Sequence, residues 1–238
     1  MIIGQHPFQD SGHPLIGIIM LDTEFPRIPG DVGNPGTFSF PVRYEIVSGA
    51  SAERVVRQAD PLLLPPFLDA ARKLETLGVK ALATSCGFLA LFHQELVRAV
   101  NIPVFSSSLL QVHQAGAIIR KDQEVGIITA DSRSLTAKHF SGLGVSPPPT
   151  AIIGLEVAEE FPAVFLQNQD RLDREKLEQE VVAAARQLIQ RHPRIGAVVL
   201  ECTNLPPYAG AVQEFCGLPV FDVVTLINYA YLVVHNGF

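Results

Sequence analysis

Short apolar runs alternate with longer amphipathic segments along the chain, and eight of these runs have the length of a β-strand. Most are continuously apolar instead of alternating, which is typical of strands covered on both faces in a parallel sheet. The eight predicted strands are Leu15–Leu21, Phe40–Val47, Val79–Ser85, Ile102–Ser106, Glu124–Thr129, Thr150–Val157, Ile195–Glu201 and Leu218–Val224.

Helical patterns lie between the predicted strands. The segment 60–78 has apolar residues at helical spacing and ends at Gly78, which suits the position after a helix. The segment 174–192 has the same periodicity and stops before Pro193. Strands that alternate with helices predict an α/β fold.

An offset of 116 residues aligns the two halves of the chain without a gap. It pairs Cys86 with Cys202, and it also pairs the sequence Pro-Val-Phe at 103–105 with the same sequence at 219–221. Two unrelated βα units could share this much by chance, but a repeat explains it better. We therefore predict two similar lobes, 1–122 and 123–238. Each is a four-stranded, mainly parallel sheet flanked by helices, the lobes are related by a pseudo-twofold axis, and the active site lies between them.

Composition narrows the classes of function. The 238 residues carry a net charge of −6, which argues against a nucleic-acid surface. No apolar run is long enough to cross a membrane, and the first residues lack the pattern of a signal peptide, so we expect a cytoplasmic protein. There is no phosphate-binding loop, dinucleotide motif or metal-ligand spacing, so we expect no cofactor and no metal. The expected partner is a small-molecule substrate, and the chain could form a homo-oligomer.

Two of the three cysteines occupy the candidate site. Cys86 and Cys202 each follow a predicted strand and precede a helix, where ligands bind in parallel α/β sheets. Free N–H groups at a helix start are expected to lower the pKa of a thiol from about 8.5. A single buried cysteine would more simply be a small hydrophobe, but two at equivalent points of a repeat favour catalysis. Cys216 falls near a helix end and is expected to pack.

Two thiols on opposite sides of one cleft suit proton transfer on both faces of a carbon. One thiolate would act as general base and the other thiol as general acid. A racemase or epimerase needs this arrangement, and it needs no cofactor if polar contacts stabilise the carbanion.

Three short motifs resemble those of the aspartate/glutamate racemase superfamily, which includes hydantoin racemases, maleate isomerases and arylmalonate decarboxylases. The motifs are Leu-Asp-Thr at 21–23, Thr-Ser-Cys-Gly-Phe at 84–88 and Glu-Cys-Thr-Asn at 201–204. The resemblance implies two-lobed racemisation without pyridoxal phosphate. It also implies that Cys86 and Cys202 are catalytic and that Asp22, Thr23 and Thr203 bind substrate.

The chain departs from the amino-acid racemases of that superfamily at two places. It has Gly87 and Phe88 where they usually have Asn-Thr, and Asn204 where they often have His. These three residues are expected to contact substrate, with the backbone N–H groups at Gly87 and Phe88 forming an anion nest. The substrate therefore need not be a simple amino acid.

The segment Asp22–Phe38 is a long loop rich in proline and glycine that leaves the carboxyl end of the first strand. Such loops often act as lids, so we expect it to border the cleft. Arg27 could bind a substrate carboxylate, or it could form an ion pair within the loop. Glu201 also lies at a strand end, where it could pack against a helix or raise the pKa of the neighbouring thiol.

The sequence thus predicts a cofactor-independent racemase or epimerase that acts on a small chiral carboxylate such as aspartate, glutamate or a hydantoin. One alternative is an isomerase or decarboxylase of the same superfamily that uses a single cysteine. The other is a two-lobed binding protein without catalysis.

Overall fold

The computed structural model describes residues 14–235, so the first 13 and last three residues of the two predicted lobes lie outside it. Within this range the strands form two four-stranded parallel sheets, with orders β2-β1-β3-β4 and β6-β5-β7-β8. The strands are β1 (Ile16–Leu21), β2 (Val42–Val47), β3 (Ala81–Thr84), β4 (Val104–Phe105), β5 (Glu124–Thr129), β6 (Thr150–Gly154), β7 (Ile195–Leu200) and β8 (Val220–Phe221).

The helices fill the connections that parallel pairing requires. They are α1 (Leu64–Thr76), α2 (His93–Ala99), α3 (Gln111–Ala117), α4 (Ala137–Gly142), α5 (Arg174–Arg191), α6 (Ala209–Cys216) and α7 (Val223–Val234). The central strands β1 and β7 are buried along their whole length, whereas the outer strands β2 and β6 are partly exposed. The predicted fold class is confirmed.

The internal repeat is visible in the topology. Cys86 follows β3 and Cys202 follows β7, which hold the same place in the two strand orders. A second pair of features sits at an offset of 109 residues, because π-helical turns span Glu53–Arg57 and Pro162–Leu166. Each turn is followed two residues later by a residue with positive φ, Ala59 or Asn168. The two halves therefore share local backbone detail as well as strand order.

Two helices pack across the predicted division at residue 122. α7 packs on β1, β3 and β4 of the first sheet, where its Val223, Ile227 and Ala230 join a cluster with β1 side chains. In return α3 packs on β5 and β7 of the second sheet. Each half of the chain thus places its last helix on the other half's sheet, which ties the two sheets together.

The loop between β1 and β2 packs inward. Phe25 and Val32 are buried, and the backbone of Gly30 (φ 95°) lies so close to Pro207 that a Cβ there would stand 3.0 Å from the proline Cα. Glu24 N–H donates to Asn168 Oδ1 at 2.8 Å. The loop therefore spans from the first sheet to the second, as its position after β1 predicts.

Candidate active site

The carboxyl ends of β1, β3 and β7 border one narrow cleft, and both candidate cysteines line it. Parallel strands point their carboxyl ends the same way, which explains why residues distant in sequence meet here. The lining is mostly apolar. It consists of Leu21, Thr23, Phe25, Arg27, Ala52, Val56, Ser85, Cys86, Gly87, Phe88, Ala130, Phe165, Leu166, Cys202, Thr203 and Asn204.

Cys86 lies at the end of β3 in extended backbone, directly before a 3₁₀ segment, Gly87–Phe92. The backbone N–H groups of Phe88 and Leu89 lower the pKa of its thiol, as a helix start is expected to do. Burial and the carboxyl of Glu201 act more strongly in the other direction, and the pKa is raised to about 12. The prediction of a lowered thiol pKa is therefore wrong for Cys86, because desolvation outweighs the N–H groups.

Cys202 is held as a thiol by a chain of side chains. Its Sγ donates to Asn204 Oδ1 at 3.6 Å, and Asn204 Nδ2 donates to Asp31 Oδ2 at 2.8 Å. A carboxylate only accepts, so Asp31 fixes the amide with its oxygen toward the sulfur. Burial, Glu201, Cys86 and Asp31 together hold the pKa of Cys202 well above its ordinary value.

Arg27 takes part in the same network from the loop. It donates to Asp31 Oδ1 at 3.0 Å and to Thr23 Oγ1 at 2.8 Å, and its guanidinium lies over the ring of Phe25 at 4.3 Å. Of the two predicted roles, the structure places the ion pair within the loop, while the side chain also lines the cleft. Asp31 was missed in the sequence, although its place in the loop signalled a cleft residue.

Aromatic rings form one wall of the cleft. Phe25 of the loop and Phe165 of the second π-helical turn meet edge to face, with centroids 5.0 Å apart. Phe88 lines the cleft as predicted and meets His139 edge to face on its other side. Phe25 and Phe165 were not among the predicted site residues. The sequence gives little indication that they line a cleft, because a phenylalanine in an apolar segment more often packs in the hydrophobic core.

The remaining predicted residues divide into two groups. Gly87, Thr203 and Thr23 line the cleft, and the Thr203 hydroxyl donates to the carbonyl of Ser85, which joins the ends of β7 and β3. Asp22 is exposed, and its carboxylate accepts from the N–H of Gly49, so the structure does not bring it to the cleft.

Residues 14–235 contain neither a cluster of metal-binding side chains nor a membrane-spanning helix. No group of three or more His, Cys, Asp or Glu side chains is arranged to hold a metal ion there. No helix in that range has the length and apolarity needed to cross a bilayer. Within the same residues, all three cysteines are free thiols.

The family model for Asp/Glu/hydantoin racemases matches residues 46–227, which is most of the chain and includes both cysteines. The chain belongs to this family. The sequence-based assignment to the racemase superfamily is thereby confirmed.

Curated relatives cover most of the chain. A dimethylsulfoniopropionate lyase from Durusdinium sp. clade D is 33% identical over 91% of this chain and 74% of its own length. Dimethylsulfoniopropionate lyases 3 and 5 from Emiliania huxleyi are 35% and 32% identical over 91% and 92% of this chain, and 58% and 45% of their own lengths. The chain thus spans between about half and three quarters of these relatives.

Solved structures support the fold. Unliganded arylmalonate decarboxylase superposes with a TM-score of 0.62 at 15% identity, covering 94% of both chains. An aspartate racemase homologue from Pyrococcus horikoshii gives a TM-score of 0.55 at 18% identity, covering 90% of this chain and 98% of its own. These similarities concern the architecture alone.

The predicted racemase or epimerase activity is wrong. The relatives that match nine tenths of the chain are named as lyases and not as isomerases. Two thiols at equivalent strand ends do not by themselves specify the substrate or the reaction. The departures at Gly87, Phe88 and Asn204 were the part of the sequence that pointed away from amino-acid racemases. The predicted one-cysteine isomerase or decarboxylase and the binding protein gain no support from these relatives.

Proposed function

We propose that this protein cleaves dimethylsulfoniopropionate into dimethyl sulfide and acrylate. The observation that carries the proposal is the set of relatives, all named dimethylsulfoniopropionate lyases, that align along nine tenths of the chain. The cleft supports it, because its lining combines two thiols with aromatic rings and few exposed charges.

The reaction is an elimination. A base removes one proton from C2, next to the carboxylate, and the electron pair left behind forms the C2–C3 double bond. The C3–S bond breaks, and its electrons stay on sulfur as a lone pair of dimethyl sulfide. The neutral zwitterion thus gives one acrylate anion, one dimethyl sulfide and one proton, with no oxidant or reductant.

Cys86 is the better candidate for the base. Two backbone N–H groups favour its thiolate, whereas one favours that of Cys202, whose Sγ is engaged by the Asn204 side chain and which faces the additional negative charge of Asp31. The positive sulfonium of a bound substrate would favour the thiolate further by its charge. The pKa of Cys86, raised to about 12 by burial and Glu201, would then fall when substrate binds.

Cys202 has a different task in an elimination. Dimethyl sulfide leaves as a neutral molecule and needs no proton, so a general acid on the opposite face is unnecessary. A thiol held protonated by its surroundings can instead turn its single S–H from Asn204 Oδ1 to the substrate carboxylate as negative charge builds up next to it. We therefore assign unequal roles to the two cysteines.

The sulfonium group would be recognised by π faces. It carries three carbon substituents and no N–H or O–H, so it cannot donate an ordinary hydrogen bond. Cations of this kind bind against aromatic rings. Phe25, Phe88 and Phe165 are the rings that line the cleft.

The carboxylate would be bound by hydrogen-bond donors that line the same cleft. The N–H groups that begin the segment after Cys86 are one set of donors. Thr23 is another, because its Oγ1 accepts from Arg27 and this leaves the hydroxyl hydrogen free to donate. Both cysteines must be reduced for this chemistry, so we also propose that the protein works in a reducing compartment such as the cytoplasm.

The direct test is to incubate the purified protein with dimethylsulfoniopropionate and to quantify dimethyl sulfide in the headspace and acrylate in solution. The proposal predicts equal amounts of both products. A Cys86→Ala/Cys202→Ala double variant with an unchanged circular dichroism spectrum serves as the control. A folded wild-type protein that releases no more dimethyl sulfide than this variant would show that the proposal is wrong.

A further inference from the structure

One buried carboxyl group beside the cleft has no role in the elimination described above. Glu201 is fully buried at the end of β7, directly before Cys202. Its Oε2 accepts a hydrogen bond from Thr129 Oγ1 at 2.7 Å. Its Oε1 has no hydrogen-bond partner among the residues that the structure describes.

The unpartnered oxygen points at the other cysteine's segment. A Cβ added to Gly87 would overlap Glu201 Oε1, so the carboxyl group lies directly against the residue after Cys86. Glu201 does not line the cleft itself. It stands behind the wall that carries both thiols, next in sequence to one of them and packed against the neighbour of the other.

The charge of this carboxyl reaches both sulfur atoms. Ionised Glu201 raises the pKa of Cys86 and that of Cys202. Burial in turn raises the pKa of Glu201 to about 7, although Thr129 and the Ala130 N–H oppose this. Glu201 is therefore poised to change its charge near neutral pH.

Charged groups on the surrounding elements leave Glu201 without an ion-pair partner in the described part of the chain. From the β1–β2 loop, Arg27 is paired with Asp31. After β5, Asp131 is paired with Arg57 and Arg133. Cys86 and Cys202 are titratable groups whose pKa its charge raises.

We propose that Glu201 is a positioning residue that controls the protonation of both thiols, so that the buried site holds one negative charge, either on Glu201 or on a cysteine sulfur. A thiolate on Cys86 then forms while the carboxyl group of Glu201 holds a proton, and the total charge is unchanged. The use of this thiolate in catalysis rests on the proposed elimination, but the coupling between the groups does not.

Coupling of this kind has a specific signature in thiol reactivity. Below about pH 7, Glu201 is neutral and the thiolate fraction rises tenfold with each pH unit. Above that, ionisation of Glu201 raises the pKa of the thiols as fast as the pH rises, so the thiolate fraction levels off. The plateau extends over as many pH units as the charge of Glu201 adds to the thiol pKa.

The experiment measures alkylation of the substrate-free protein by iodoacetamide between about pH 6 and about pH 9.5, resolved by residue with mass spectrometry. We expect wild type to show the plateau at Cys86 and Cys202. Glu201→Gln, which keeps the size and an oxygen for Thr129, is expected to give a continuous rise. Its rate at about pH 8 should exceed that of wild type at least threefold, since each pKa unit adds thiolate but reduces nucleophilicity.

Two controls distinguish an effect of the Glu201 charge on alkylation from a general increase in the flexibility of the protein. Cys216 is a half-buried thiol away from the cleft, and its rate should be the same in both proteins. Asp222→Asn removes another buried carboxyl from the second half of the chain and keeps a residue that can cap α7, so its profile should match wild type. Parallel profiles for wild type and Glu201→Gln would overturn the proposal.

A second variant keeps the test decisive if Glu201→Gln does not fold. Thr129→Val removes the hydrogen bond that favours ionised Glu201, so the plateau should begin at a higher pH than in wild type. An unmoved plateau would also overturn the proposal. If the coupling is found and no dimethyl sulfide is released, only the proposed function is wrong. If dimethyl sulfide is released and the thiols are not coupled to Glu201, only the proposed coupling is wrong.

Discussion

The surroundings of Cys86 and Cys202 differ although the two residues hold the same place in a repeated topology. Two backbone N–H groups favour the thiolate of Cys86, whereas one, that of Asn204, favours the thiolate of Cys202, whose Sγ also donates to the Asn204 side chain backed by Asp31. Burial raises the pKa of both thiols, and the difference in hydrogen bonding favours ionisation of Cys86 over that of Cys202. A racemase needs two interchangeable thiols, but an elimination needs one base, and the asymmetry suits the elimination.

Substituting each cysteine separately should have the largest effect and tests this asymmetry directly. Cys86→Ala removes the proposed base, and the rate of dimethyl sulfide release should fall at least about a thousandfold. Cys202→Ala removes one hydrogen-bond donor, and the loss should be nearer to about thirtyfold, mainly in kcat. Equal losses in the two variants would contradict the division of roles.

Asp31 supports the Cys202 side of the cleft, and its removal should destabilise the fold. Asp31→Ala leaves Arg27 and Asn204 without their shared partner, so the free energy of unfolding should fall by about 3 kcal/mol. Urea unfolding measures this. The control is Asp69→Ala, which breaks an exposed ion pair with Arg72 and should cost less than about 0.5 kcal/mol. Similar losses of unfolding free energy in the two variants would mean that the hydrogen bonds of Asp31 stabilise the fold no more than an exposed ion pair does.

The buried charge of Glu201 should also appear in the pH dependence of stability. Its pKa is raised from 4.5 to about 7 in the folded protein, so the unfolded chain releases this proton first as the pH rises. Wild type should therefore lose about 3 kcal/mol relative to Glu201→Gln between pH 4 and pH 8. Urea unfolding at both pH values gives the difference. If the difference in the free energy of unfolding between the two proteins is the same at pH 4 and pH 8, the pKa of Glu201 is not raised in the folded protein.

Sulfonium recognition should have the smallest effect. Phe25→Leu removes a π face but keeps an apolar side chain, so the KM for dimethylsulfoniopropionate should rise about fivefold with little change in kcat. Inhibition by 4-methylpentanoate, in which an uncharged carbon replaces the sulfonium sulfur, supplies the control and should be nearly unchanged. Equal weakening of the binding of both molecules would mean that Phe25 contributes shape complementarity and does not recognise the positive charge.

Much of the fold follows from the sequence because burial leaves a simple trace. The eight strands found in residues 14–235 were all predicted, and the central ones were plainest because a strand covered on both faces is apolar at every position. The 116-residue offset placed Cys86 and Cys202 at equivalent strand ends for the same reason. The crossing of α3 and α7 to the opposite sheets was not predicted, because an apolar helix face does not reveal which sheet it covers.

The residues that line the candidate site were easier to predict from the sequence than the pKa values of its thiols. Thr23, Arg27, Gly87 and Phe88 lie at the cleft, but the expected lowering of the thiol pKa values is outweighed by burial, and of the opposing causes only Glu201 was anticipated. A helix start is visible in sequence, whereas the depth of burial around a sulfur atom depends on tertiary packing. Long-range contacts such as that between Asp31 and Asn204, 173 residues apart, leave no local pattern at all.

The most direct test of elimination at C2 uses dimethylsulfoniopropionate carrying two deuterium atoms on C2. Removal of one of them by a base predicts acrylate that retains a single deuterium, formed together with an equal amount of dimethyl sulfide and more slowly than from the unlabelled substrate. A three-carbon product that keeps both deuterium atoms would mean that the C–S bond is broken without proton removal at C2, which would contradict the account.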